Sequence, residues 1–191
     1  MNINDAEFIL SAAGPSQFIN ESRRKIAFAG RSNVGKSSVI NCLLNRKHLA
    51  KVGSAPGKTI HINYFLIDQH IYFIDLPGYG YAQVSKKEKE RWGDLMECFF
   101  SGEDTFDYGV LIVDARHRPT KQDSEMASFF RNSGKEFAVV ANKLDKCRKA
   151  EISRLLSEIS ECLCLTEDTP LIPFSAETGT GRDELLKLLS V

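Results

Sequence analysis

The 191-residue chain has no surplus of either charge: 25 Lys and Arg stand against 25 Asp and Glu, for a formal net charge of +0. No overall field therefore draws it to nucleic acid or an anionic surface, and any such contact must rest on a local patch. No apolar run approaches the length of a membrane span. The start, Met1-Asn2-Ile3-Asn4-Asp5, lacks the basic and apolar stretches of a secretory signal. There is no internal repeat and no low-complexity segment. Cysteine is present five times, at Cys42, Cys98, Cys147, Cys162 and Cys164, an odd count whose spacing fits neither a zinc site nor a disulfide framework. A reducing, cytoplasmic compartment is the simplest account. Cys42 and Cys98 fall in helical patterns and are expected to be buried as small hydrophobes. Cys162 and Cys164 read as helix-end packing before they read as a metal pair.

What is present is a phosphate loop. Gly30-Arg31-Ser32-Asn33-Val34-Gly35-Lys36-Ser37 follows an apolar run, Ile26 to Ala29, and leads through Ser38 into a helical pattern ending near Leu44. This is GxxxxGK[ST] between a strand and a helix, the context that gives the motif meaning. The glycines allow a tight turn and close approach of an anion. The loop amides and the helix N-terminus make the anion cradle. Lys36 brings a point charge to the β- and γ-phosphates, and Ser37 a hydroxyl for Mg²⁺.

The rest of the chain alternates strand and helix patterns. Strands are expected near 7–13, before the phosphate loop, at 60–68, 70–75, 108–114, 137–141 and 171–174, with a short helical turn at 17–19. Helices are expected near 36–45, 86–100, 120–132, 149–162 and 182–190. Ser85 is the N-cap of the second, whose Trp92, Leu95, Met96, Phe99 and Phe100 repeat on one helical face. The expectation is one α/β domain: a mostly parallel sheet of six strands or slightly more, one strand antiparallel, with helices on both faces. Residues 1–22 are read as an N-terminal extension packed on a domain of residues 23–191. Two irregular stretches, about 46–59 and 76–85, stand out as functional loops.

Further elements follow in order, each after its own strand. Asp75-Leu76-Pro77-Gly78 reads as DxxG: Asp75 reaches Mg²⁺ through a water, and the Gly78 amide reaches the γ-phosphate. Asn142-Lys143-Leu144-Asp145 reads as NKxD. A carboxylate at Asp145 accepts from both N1–H and the exocyclic amine of guanine, whereas adenine leaves it unpaired. Lys143 lays its stem over the base, and Asn142 ties this loop to the phosphate loop. Phe174-Ser175-Ala176 offers amides to the base oxygen, and Thr59 is the second Mg²⁺ hydroxyl. DxxG or Ser-Ala alone would carry little, whereas three fixed residues of NKxD recur by chance roughly once in several thousand positions. The strands bring all of these to one sheet edge, where open α/β sheets bind ligands.

The set resembles the translation-factor-related P-loop GTPases and, within them, the EngB (YihA/YsxC) family of bacterial ribosome-assembly GTPases. That closer likeness rests on Gly30 to Ser38, on Ser54-Ala-Pro-Gly-Lys-Thr59 with Asn63, and on Asp75-Leu-Pro-Gly-Tyr-Gly-Tyr-Ala82. The resemblance extends the nucleotide set to Gly57, Lys58, Thr59, Ile60 and His61, and makes Lys36, Thr59 and Gly78 the catalytic group. It implies GTP and Mg²⁺ binding, association with the large ribosomal subunit through its rRNA and proteins, and a requirement for normal division and septation, in a monomer without membrane attachment. One departure is visible: many relatives carry Thr-Lys-x-Asp where this chain has Asn142-Lys143-Leu144-Asp145.

Tyr79 occupies the position where Ras-type enzymes use a glutamine to orient the attacking water. Slow intrinsic hydrolysis is therefore expected, completed by a partner or a monovalent cation. Asn33 matches the potassium-binding asparagine of TrmE-type GTPases, and reads equally well as a turn residue. Arg46, Lys47, His48 and Lys51, then Lys86, Lys87, Lys89 and Arg91, then Arg116 and Arg118 are basic groups near the two loops, read either as RNA contacts or as solvated helix ends. Tyr79 and Tyr81 read either as partner contacts or as packing.

Overall fold

The computed structural model describes residues 2–50, 60–80 and 85–191. In chain order the strands are β1 (Ala6–Ala12), β2 (Arg24–Gly30), β3 (Ile62–Ile67), β4 (Ile71–Asp75), β5 (Tyr108–Asp114), β6 (Glu136–Asn142) and β7 (Leu171–Pro173). The helices are α1 (Lys36–Leu43), α2 (Lys86–Ser101), α3 (Lys121–Asn132), α4 (Ile152–Cys162) and α5 (Arg182–Leu189).

The strands form one seven-stranded sheet in the order β1-β3-β4-β2-β5-β6-β7. Only β3 runs against the others. It is antiparallel to both β1 and β4, while the β2–β4, β2–β5, β5–β6 and β6–β7 pairs are parallel. β5 is apolar without alternation and buried along its whole length, as expected of a strand covered on both faces. One face carries α2, α3 and α4, through Met96, Phe99, Phe130 and Ile159. The other carries α1 and α5, through Ile40, Leu43, Leu185 and Leu189. β1 forms one edge of the sheet and β7 the other. β1 bulges between Phe8 and Leu10, and leaves Phe8 52% and Ile9 37% exposed.

Local chemistry sets the boundaries. Ser85 and Glu88 form a reciprocal capping box at α2, and Thr120 and Asp123 do the same at α3. The β3–β4 connection turns at Asp68 and Gln69, both left-handed at φ 48° and 58°, which matches the twist of a tight hairpin. Three details differ from expectation. The turn near 17–19 is a 3₁₀ turn at Pro15–Gln17, because the proline starts it early. The first helix stops at Leu43, since Asn45 turns left-handed. Cys98 is exposed, because it lies off the stripe made by Leu95, Met96, Phe99 and Phe100.

Candidate functional site

The parallel strands β2, β4, β5, β6 and β7 end along one edge, and the sequence motifs leave from those ends. β2 ends at Gly30 and α1 starts at Lys36, so the loop between them is five residues long. Gly35 holds φ 95°, and a Cβ there would collide with the Asn142 side-chain amide. Only glycine meets both conditions. At Gly30 an added Cβ would lie 2.9 Å from the Ile112 carbonyl oxygen. Val34 is buried beneath the loop, whereas Asn33 is exposed at φ 69°. The positive φ gives Asn33 a place in the turn, and its exposed side chain leaves the cation reading open.

Asn142 is the stitch between loops. It is 2% exposed, its Nδ2 donates to the Val34 carbonyl at 2.9 Å, and its Oδ1 accepts from the Ala176 amide at 3.1 Å. The tie expected between NKxD and the phosphate loop is therefore present, and it also captures the Ser175-Ala176 segment. The Ser175 hydroxyl donates to Asp145 Oδ1 at 2.7 Å. That bond, helped by nearby Lys146, holds the Asp145 carboxyl below its ordinary range. The Leu144 amide donates to the Phe174 carbonyl, and the Phe174 amide to the Ala141 carbonyl. Lys143 reaches back to the Asn33 carbonyl and forms a 3.0 Å ion pair with Asp114.

On the other side of the loop, Lys36 is ion-paired with Asp75. Ser37 and Ser38 are half-buried in the first turn of α1. The Leu76 amide donates to the Phe28 carbonyl at 3.0 Å, and Trp92 of α2 donates to the Pro77 carbonyl at 3.1 Å. Gly78 lies over the loop, with Ser32 Oγ 3.2 Å from where its Cβ would stand. Ser32 donates to the Tyr79 carbonyl through both its amide, at 2.8 Å, and its hydroxyl, at 3.0 Å. The Arg31 stem packs against Gly80. Asn63 is level with Asp75 in the β3–β4 ladder, so Ile60 and His61 emerge at the same edge. Gly57, Lys58 and Thr59 lie outside the described residues, as do Lys51 and Tyr81.

Tyr79 is only 6% exposed. Its hydroxyl donates to Asp123 Oδ1 at 2.8 Å and its ring meets Trp92 edge-on. Burial first, and the Asp123 carboxylate second, push the phenol well above its ordinary pKa. Packing, not partner contact, is what this side chain does here. The residues alone gave no part to Asp114 or Asp123, and marked Arg116 only as a basic group near the loops. Asp114 accepts from Arg116 Nε at 2.9 Å and Nη2 at 2.7 Å. The available signal was an acidic residue ending an apolar strand, as Asp75 does.

A family described as "50S ribosome-binding GTPase" matches residues 25–143. A protein named "Probable GTP-binding protein EngB" from Geobacillus kaustophilus is 45% identical over 184 residues, 96% of this chain and 94% of that one. The chain belongs to the EngB family of GTP-binding proteins. An EngB of Clostridium botulinum is 47% identical over 189 residues, 99% of this chain and 96% of its own. The crystal structure of a probable GTP-binding protein EngB superposes with a TM-score of 0.74 at 28% identity, covering 87% of this chain and 96% of that one. EngB membership makes this chain a P-loop GTPase with a ribosome-binding GTPase domain, and explains why the motifs share one sheet edge. Among the described residues no helix is long and apolar enough to cross a membrane.

Proposed function

We propose that this protein is a slow, Mg²⁺-dependent GTP switch that acts in assembly of the large ribosomal subunit and is needed for normal division and septation. The observation that carries the nucleotide part is the Asn142 stitch. One buried amide joins the phosphate loop to the segment of Ser175 and Ala176, and Ser175 in turn orients Asp145. In this reading residues 30–38 cradle the phosphates, with Lys36 moving from Asp75 to the β- and γ-phosphates. Asp145 reads N1–H and the exocyclic amine of guanine, Lys143 covers the base, and the Ala176 region meets the base oxygen.

The Ser37 hydroxyl and the Asp75 carboxylate are hard oxygen donors flanking Lys36, and fit Mg²⁺, which takes few protein ligands and otherwise phosphate and water; Thr59 is the further hydroxyl. When bound, the ion neutralises charge building on the phosphates. Gly78 presents its amide from a segment already lying over the loop. The Tyr79 phenol is committed to Asp123, so no side chain at that position orients water. Unassisted turnover is then at or below roughly 10⁻³ s⁻¹, the scale of unassisted Ras, and the ribosomal partner or a potassium ion at Asn33 completes the site. Exposed Arg46, Lys47, His48, Lys86, Lys87, Lys89, Arg91 and Arg118 form the charged rim offered to rRNA phosphates, with Arg116 beside them but paired with Asp114. The same Tyr79 geometry favours one alternative, a GTP-dependent interaction module that does not cycle. Cosedimentation with large subunits in GDP and in a non-hydrolysable GTP analogue, followed by turnover on those subunits, tests both. Stronger pelleting with the analogue and stimulated turnover support the switch, and pelleting without turnover supports the module. No pelleting in either state removes the ribosomal role.

A further inference from the structure

We infer that Asp114 is a positioning residue for guanine binding: with the Asn33 carbonyl it anchors the Lys143 ammonium, so that the lysine stem is already laid across the place of the base. The inference rests on the guanine-nucleotide reading above and deepens it.

Register supplies the geometry. In the parallel β5–β6 pair, Asp114 stands opposite Asn142. The next residue, Lys143, therefore leaves β6 alongside the Asp114 carboxylate. That carboxylate is 8% exposed and is itself fixed. Arg116 grips it with Nε at 2.9 Å, Nη2 at 2.7 Å and its own backbone amide at 3.1 Å. The fork defines the plane of the carboxylate, and Oδ2 is presented to Lys143 Nζ at 3.0 Å. The second anchor, the Asn33 carbonyl, belongs to the phosphate loop. Between these anchors and its Cα, the stem passes Gly35, with Cε 3.9 Å from where a Cβ would stand.

Lys143 also sits at φ 68°, a left-handed conformation that costs a side-chain-bearing residue free energy and survives where surrounding contacts over-determine it. A free lysine stem would lose several rotamers on covering a base. Fixing both ends beforehand removes that loss from the binding step. Asp114 touches no base edge in this scheme, and acts only through Lys143.

The test is a double-mutant cycle read by calorimetric titration with GDP, ADP and IDP, whose base lacks the exocyclic amine. Asp114→Asn should weaken GDP by about tenfold, the size of coupling within one ion-pair network. In a Lys143→Met background, which keeps an apolar stem without the ammonium, Asp114→Asn should change GDP affinity no further. The GDP-to-IDP ratio should stay at the wild-type value in Asp114→Asn and collapse in Asp145→Asn, because the stem reads the face and not the edge. Should Asp114→Asn fail to fold, Arg116→Lys runs the same cycle from an exposed site, with about a threefold loss that vanishes beside Lys143→Met. Equal losses in both backgrounds, or no loss from Asp114→Asn in otherwise wild-type protein, overturn the proposal while leaving guanine binding intact. Wild-type protein that prefers GDP no more than ADP removes the guanine reading itself.

Discussion

The two halves of the candidate site are held by different chemistry. On the base side, Asn142, Ser175 and Asp145 are joined by hydrogen bonds in which each donor has its acceptor. On the phosphate side, Lys36 and Asp75 neutralise each other, although the proposed function gives each separate work with GTP and Mg²⁺. On that proposal the base side is bonded in advance, whereas the phosphate side must exchange partners. An ion pair suits that exchange, since anionic oxygens can replace one carboxylate at the ammonium with little loss. A buried amide network does not, because every opened bond strands a polar group.

The largest test of this contrast is Lys36→Ala. It should abolish measurable GTP binding, a loss of about hundredfold or more. It should also destabilise the nucleotide-free protein by about 3 kcal/mol, because a mostly buried Asp75 loses its counter-charge. Adding Asp75→Asn should restore part of the stability and none of the binding, as denaturant titration and calorimetry would show. If the single variant is as stable as wild type without nucleotide, the ion pair is not what holds this side.

Next comes Asn142→Ala, which leaves the Val34 carbonyl and the Ala176 amide without their partner. About 2–4 kcal/mol of stability should go, measured by denaturant titration. Asn142→Thr keeps one bonding group and should cost less than half as much. A neutral Asn142→Ala would erase the difference between the two sides.

Much of this was legible before any coordinates. The phosphate loop, DxxG and NKxD are local patterns, each residue fixed by an interaction within a few positions or with the ligand chemistry itself. Helix starts at Ser85 and Thr120 were legible for the same reason, because a capping box is a local device. What escaped depends on register between distant strands. Nothing near Asp114 in sequence says that it faces position 142, and nothing near Tyr79 says that its hydroxyl ends on Asp123 of another element. Residues 7–13 read as a strand, but only the β1–β3 ladder fixes where it joins the sheet. Cys98 was misread because helical membership was taken for burial, and its angular position on α2 decides otherwise.

Acid should sharpen the contrast from the base side. Burial opposes ionisation of Asp114, but bonds from Arg116 and Lys143 outweigh it and bring the pKa down from 3.8 to about 2. The folded value lies below the unfolded one. Its contribution, about 2 kcal/mol, is therefore complete above about pH 4 and is lost as pH falls through about 2. Asp114→Asn cannot titrate. Its stability deficit against wild type should thus be constant above that window and shrink within it, as followed by urea titration at stepped pH. A deficit that stays constant down to pH 2 means that the charge of Asp114 is not what the neighbours hold.

The smallest effect tests how far the phosphate side depends on α2. The Ser85 hydroxyl accepts from the Glu88 amide, and the Glu88 carboxylate accepts in turn from the Ser85 amide. Ser85→Ala removes the hydroxyl and should cost about 1 kcal/mol, or about 2–4 °C in Tm for a domain of this size. The helix then frays at its first turn, not at Trp92 two turns later, where the indole holds the Pro77 carbonyl. GTP affinity should consequently stay within about twofold of wild type, since Asp75 to Gly78 keep that anchor. A Tm loss accompanied by a large loss of GTP affinity would instead make the N-terminal turn of α2 part of what positions the phosphate-side segment, and would move the boundary between the fixed and the exchangeable halves of the site.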